Sequence, residues 1–125
     1  MAADKKRIYI VDDDESVGRA LKILLETFGF AVSTFLSAEQ YFKDVPSSDH
    51  GCMLLDIHMP GLDGWETLKR IIESKVKRPV IIISADKNGG IRDRALKSGA
   101  VGYFQKPING QELVYLINDA YQRTV

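Results

Sequence analysis

Apolar residues fall along this chain in five short runs separated by segments with helical spacing. Positions 7–11, 31–35, 52–55, 80–83 and 102–104 are short and rich in branched or aromatic side chains, the composition expected of strands covered on both faces. Between the first two runs, Val17, Ala20, Leu21, Leu24, Leu25 and Phe28 recur at steps of three and four, and Gly29 follows as a C-terminal cap. Ser37 with Gln40 predicts a capping box for a second, shorter helix; Trp65, Leu68 and Ile72 give a third; Ile91, Ala95 and Leu96, closed by Gly99, give a fourth. Asn109 with Glu112 opens a fifth, whose apolar face is Leu113, Leu116, Ile117, Ala120 and Tyr121, with Asp119, Gln122 and Arg123 left to solvent.

Strict alternation of strand and helix predicts an α/β fold with a parallel sheet, because right-handed crossovers place helices on both faces and each apolar strand needs two covers. The strand order 2-1-3-4-5, flavodoxin-like, is carried over from known sheets of this kind rather than read from the residues. One domain over residues 1–125 is expected, with a core of about 6–123 and no linker or internal repeat.

Charge and composition narrow the partners. Seventeen basic residues balance seventeen acidic ones, so no overall positive field draws nucleic acid, and any DNA-binding output domain is expected outside this chain. No apolar run approaches the roughly 20 residues that span a bilayer, and residues 1–6 lack the apolar core of a secretory signal. A cytoplasmic location away from the membrane is the expectation. Cys52, beside Met53, Leu54 and Leu55, is expected as a small buried residue rather than a reactive thiol.

In open sheets ligands bind beyond the carboxyl ends of the strands, where the strand order reverses. The first strand ends in Asp12, Asp13 and Asp14, the third in Asp56, the fourth in Ser84, and the fifth runs through Gln105 into Lys106 and Pro107. With strands one and three adjacent, their acids converge, and crowded carboxylates need a proton or a divalent cation. All-oxygen ligands suit a hard cation, and magnesium fits better than zinc where no cysteine or histidine cluster exists. His50 and His58 show no metal-site spacing. A hydroxyl at Ser84 and an ammonium at Lys106 are what a phosphoryl group on a carboxylate would need for its spare oxygens. Asp56, the central acid, is the candidate nucleophile. Met59-Pro60 and Asp63-Gly64 predict a tight loop after it, with glycine supplying backbone freedom.

Each of these residues has a plainer reading. Asp12 to Asp14 would serve as caps of the first helix, the role assigned to Asp14; Lys106 alone reads as a solvated lysine, Ser84 as a strand-end hydroxyl, Tyr103 as a packing residue. Their joint placement at strand ends favours the site.

Four motifs in register, Ile10 through Asp14, Leu54 through Gly64, Ile83-Ser84-Ala85 and Gly99 through Pro107, resemble the receiver domain of two-component response regulators over about residues 6–123. The resemblance implies that Asp56 accepts phosphate, that Asp13 and Asp56 bind Mg2+ directly with Asp12 acting through water, and that the main-chain carbonyl of His58 completes the ligands. It implies that Ser84 hydrogen-bonds the phosphoryl group, that Lys106 pairs with it, that Lys106-Pro107 is cis, and that Tyr103 turns with the state of the site. Serine replaces the family's commoner threonine at 84 and keeps the hydroxyl. The partner implied is a sensor histidine kinase or phosphotransfer protein, and the switching face is the fourth helix, fifth strand and fifth helix, which would control an output domain or form a phosphorylation-dependent homodimer. Residues 45–55 and Ser37-Ala38-Glu39 resemble receivers of transcription factors with a helix-turn-helix output.

The competing function is a metal-dependent phosphatase or phosphotransferase with an aspartyl nucleophile. Such enzymes usually place a second acid two residues after the nucleophile, where this chain has His58, and the chain has no cap domain. A degenerate receiver used for docking alone is disfavoured because the expected site residues are all present.

Overall fold

A computed structural model describes residues 5–74, 78–87 and 89–123. In chain order its elements are β1 (Arg7–Val11), α1 (Glu15–Thr27), β2 (Ala31–Phe35), α2 (Ala38–Asp44), β3 (Cys52–Asp56), α3 (Gly64–Glu73), β4 (Val80–Ser84), α4 (Gly90–Lys97), β5 (Gly102–Gln105) and α5 (Gly110–Arg123). All strand pairs are parallel, as expected from the alternation, and their order is β2-β1-β3-β4-β5, the one carried over from known sheets.

Successive side chains on a strand point to opposite faces, and the core divides accordingly. Tyr9, Val11, Met53, Leu55 and Ile82 pack with Ala38, Tyr41, Leu68, Ile71 and Ala95, so α2, α3 and α4 cover one face. Ile8, Ile10, Cys52, Leu54, Ile81 and Ile83 pack with Leu21, Leu25, Leu113 and Ile117, so α1 and α5 cover the other. Each fully buried aliphatic side chain contributes about 1.5–3 kcal/mol of transfer free energy. Cys52 lies in this core, and burial pushes its thiol up to about 12.

Several helix faces differ from their sequence pattern. Phe28, Ile72 and Leu96, expected on apolar stripes, are 48%, 46% and 41% exposed. Phe28 is the C-cap of α1 rather than part of its face. In α3 the buried row is Gly64, Thr67, Leu68 and Ile71, rotated by one position from the expected stripe. Ala20 is also exposed, and Asp119 is half-buried although expected in solvent with Gln122, which is exposed. The side chain of Arg123 lies outside the described residues. The caps agree better. Gln40 donates its backbone N–H to Ser37 Oγ at 3.1 Å, and Gly29 and Gly99 take φ of +92° and +105° beyond their helices. The left-handed angle expected in the loop after Asp56 is supplied by Gly61 (φ +75°), not Gly64. Gly64 has a different reason to be glycine: a Cβ there would lie 2.5 Å from Ile57 Cα and 2.8 Å from the Asp56 carbonyl oxygen, which brings α3 against the end of β3.

Candidate functional site

The sheet register sets the site. Val11 pairs with Leu55, so Asp12, one residue past β1, falls beside Asp56, the last residue of β3. Asp56 pairs with Ile83 and Ser84 with Gln105, which puts the ends of β4 and β5 next in line. Three strands run one residue beyond their apolar runs, so Asp56, Ser84 and Gln105 are strand residues held by the ladder.

Asp12 and Asp56 are 2% and 5% exposed, whereas Asp13 is open to solvent. The Asp12 carboxylate accepts from Asp14 N at 2.9 Å and from Lys106 Nζ at 2.8 Å. Lys106 Nζ lies 3.9 Å from Asp56 Oδ2, and Asp56 Oδ1 accepts from His58 N at 3.3 Å. Asp14 does what a cap does: its side chain accepts from the backbone N–H groups of Ser16 and Val17 at the start of α1. One carboxylate oxygen each from Asp12, Asp13 and Asp56 lie within 4.8 Å of one another, an oxygen set able to hold a metal ion.

Burial, and then repulsion from Asp12, push the Asp56 carboxyl up to about 6, against the opposing pull of Lys106 and the His58 amide. Burial alone would lower Lys106, but the hydrogen bond and charge of Asp12, and the charges of Asp56 and Asp14, outweigh it and hold the ammonium above its ordinary range. One ammonium therefore faces three carboxylates, two of them buried. The excess negative charge and the hard oxygen donors suit a small divalent cation such as magnesium, and the absence of sulfur from the cluster does not suit a soft one.

Ser84 is fully buried; its hydroxyl accepts from Asp86 N at 3.0 Å, and its carbonyl accepts from Lys106 N at 2.8 Å. The β4 end is thereby tied to the segment that positions Lys106, where Lys106-Pro107 is cis. Tyr103 stands apart from the acids, half-buried, with its hydroxyl donating to the Asp86 carbonyl at 3.3 Å.

Two residues to which the sequence gives no role at the site reach this region. Asp86 Oδ2 lies 3.2 Å from the His58 imidazole Nε2 across the mouth of the cluster, so the His58 side chain is engaged rather than idle. Glu39, on α2, accepts from Leu62 N at 3.1 Å. No spacing rule marks either one, because each meets its partner only through the fold. His50 is placed at the opposite end of the sheet, where its carbonyl accepts from the Tyr9 hydroxyl at 3.3 Å.

The chain is similar to known proteins in sequence and fold. The family described as the response regulator receiver domain matches residues 8–118. The transcriptional regulatory protein FixJ of Bradyrhizobium diazoefficiens is 34% identical over 119 residues, covering 95% of this chain and 58% of that protein. The response regulator protein TodT of Pseudomonas putida is 37% identical over 113 residues, covering 90% and 50%. The crystal structure of full-length FixJ from B. japonicum superposes with a TM-score of 0.88 at 33% identity, covering 98% of this chain and 60% of that one. The chain thus spans about half the length of the curated relatives it matches. Among the described residues no helix is long and apolar enough to cross a membrane.

Proposed function

Because this chain belongs to the response regulator receiver domain family, we propose that it is a magnesium-dependent phosphorylation switch whose acceptor is Asp56. The observation that carries the reading is the position of Asp56, buried at the end of the central strand beside Asp12 and Lys106, with Asp13 and Ser84 next to it.

A sensor histidine kinase or phosphotransfer protein presents a phosphohistidine. An oxygen of ionised Asp56 attacks phosphorus, the P–N bond breaks, and the electron pair returns to the departing imidazole, leaving an acyl phosphate. Asp13, Asp56 and the His58 carbonyl would hold Mg2+ directly, with Asp12 supporting it through water. When bound, the ion offsets the negative charge on the transferred phosphoryl oxygens. Lys106, already paired with Asp12, turns its ammonium to a phosphoryl oxygen, and the Ser84 hydroxyl donates to another. Movement of Ser84 takes with it the loop bearing Asp86, on whose carbonyl Tyr103 rests, and so alters the face of α4, β5 and α5. Residues 6–123 are read as a single receiver domain. That face then controls a DNA-binding output domain encoded outside this chain, or a second copy of it, in the cytoplasm.

Magnesium affinity tests the acid cluster. Asp13→Ala is expected to weaken Mg2+ binding about tenfold or more, since a direct carboxylate is lost without disturbing the buried pair. Binding should also weaken as pH falls through about 6, where Asp56 takes up a proton. Titration followed by Trp65 fluorescence reports both; unchanged affinity in the variant would remove Asp13 from the ligands.

A further inference from the structure

The connection from β3 to α3 is fixed at both ends. Ile57 N donates to the Ile83 carbonyl at 3.2 Å, Gly64 N donates to the Ile57 carbonyl at 3.2 Å, and Asp63 caps α3 by accepting from Glu66 N at 2.9 Å. Between those anchors the main chain passes through His58 and Gly61 to Leu62. Met59 and Leu62 pack their side chains into the core, but side-chain packing leaves the orientation of the intervening peptide groups open.

Glu39 addresses those peptide groups directly. Its Oε2 accepts from Leu62 N at 3.1 Å and lies 2.7 Å from where a Cβ on Gly61 would sit. The carboxylate therefore rests against the bare face of Gly61, whose φ of +75° is the conformation that suits glycine. The helix bearing Glu39 is itself firmly placed: Ser37 caps it, and Ala38 and Tyr41, on either side of Glu39, are 0% and 1% exposed. A solvent-exposed acid, on a helix that contributes no member of the acid cluster, thus grips the loop that follows the proposed phosphoacceptor.

We propose that Glu39 is a positioning residue for the phosphorylation site. By accepting from Leu62 N it holds the β3–α3 loop that follows Asp56 in one conformation, and with it the main chain at His58, whose carbonyl is a proposed magnesium ligand. This rests on the reading of Asp56 and its neighbours as a magnesium-dependent phosphoacceptor site. It makes α2 part of the site's support, although α2 supplies no ligand. The hydrogen bond, not the charge, is the operative feature: a neutral amide oxygen at the same place would serve, whereas a methyl group would not.

The test compares the full chain with Glu39→Ala, Glu39→Gln and Asp56→Asn. Leu62 amide exchange is followed by NMR, Mg2+ affinity by Trp65 fluorescence, and phosphorylation by acetyl phosphate by intact mass. Glu39→Ala should speed exchange at Leu62 and weaken Mg2+ binding by about three- to tenfold, the size of one surface-accessible hydrogen bond. It should raise the acetyl phosphate concentration needed for half-maximal rate at fixed Mg2+. Glu39→Gln should restore both binding and rate to within about twofold of the native sequence, because its amide oxygen accepts the same bond. Native Mg2+ affinity in Glu39→Ala would overturn the proposal. Equal weakening in Glu39→Gln and Glu39→Ala would overturn it too, because Glu39 would then act by charge at a distance. Failure of the underlying reading looks different: the native chain would bind no Mg2+, or Asp56→Asn would be phosphorylated as readily as the native sequence, whatever the Glu39 variants did.

Discussion

Metal-free Asp56→Asn protein is expected to be more stable than the native sequence at neutral pH by about 1–3 kcal/mol, and the difference should vanish in acid. The reason is the environment of Asp56. Burial and the charge of Asp12 raise its carboxyl from 3.8 to about 6, so the folded protein binds a proton more readily than the unfolded chain does. Between pH about 4 and 6 the native state therefore holds more protons than the unfolded state, and its stability falls as pH rises through that window. Above pH 6 the full cost of an ionised, desolvated carboxylate beside Asp12 is present. Asparagine keeps the shape and removes the charge. Urea denaturation of both proteins in chelator at pH 4.5, 6 and 7.5 should show the gap opening with pH, and millimolar Mg2+ should narrow it at pH 7.5 by stabilising only the native sequence. A gap that closes with rising pH, or a variant less stable at pH 7.5, would show that Asp56 is not held in an acid-crowded, desolvated position.

The second large effect concerns coupling. Ser84→Ala and Lys106→Ala are expected to permit some phosphorylation of Asp56 while weakening the response of α4, β5 and α5. Turning a conformation populated at about one per cent into one at about ninety-nine per cent needs roughly 5.5 kcal/mol of differential interaction. A neutral hydrogen bond contributes about 1 kcal/mol net and charge-assisted ones about 1.5–3, so both the Ser84 hydroxyl and the Lys106 ammonium are required. Each single substitution should lower the ratio of active to inactive conformers by about ten- to a hundredfold. Ser84 is well placed for this role, because its hydroxyl bonds Asp86 N while the Asp86 carbonyl holds the Tyr103 hydroxyl. NMR shifts of α4 and α5 on adding beryllofluoride should be large in the native sequence and reduced in each variant. Full-sized shifts in Ser84→Ala would separate Ser84 from the switch.

Much of this was legible in the sequence, for identifiable physical reasons. Caps are local, so Asp14, Ser37, Gly29 and Gly99 took the roles their chemistry suggested. The alternation of runs gave the parallel sheet, although its order was carried over from known sheets. The apolar runs stop at Leu55, Ile83 and Phe104, one residue before the strands do, because a polar side chain ends an apolar run without ending the backbone ladder; the strand ends read at Asp56 and Ser84 are those of the structure. Ile72 and Leu96 show the converse: an apolar residue at helical spacing need not face the core when a neighbour one position away fills it. Asp86 and Glu39 were not legible, since each meets its partner 28 or 23 residues away only after the crossovers have packed.

Intact-mass spectrometry of the native chain and Asp56→Asn, each incubated with acetyl phosphate with and without Mg2+, tests the central claim most directly. The native chain should gain one phosphoryl group only with Mg2+, labile to hydroxylamine as an acyl phosphate is, and Asp56→Asn should gain none. An acid-stable phosphoryl group on Asp56→Asn, or a native chain that remains unmodified with Mg2+ present, would contradict it.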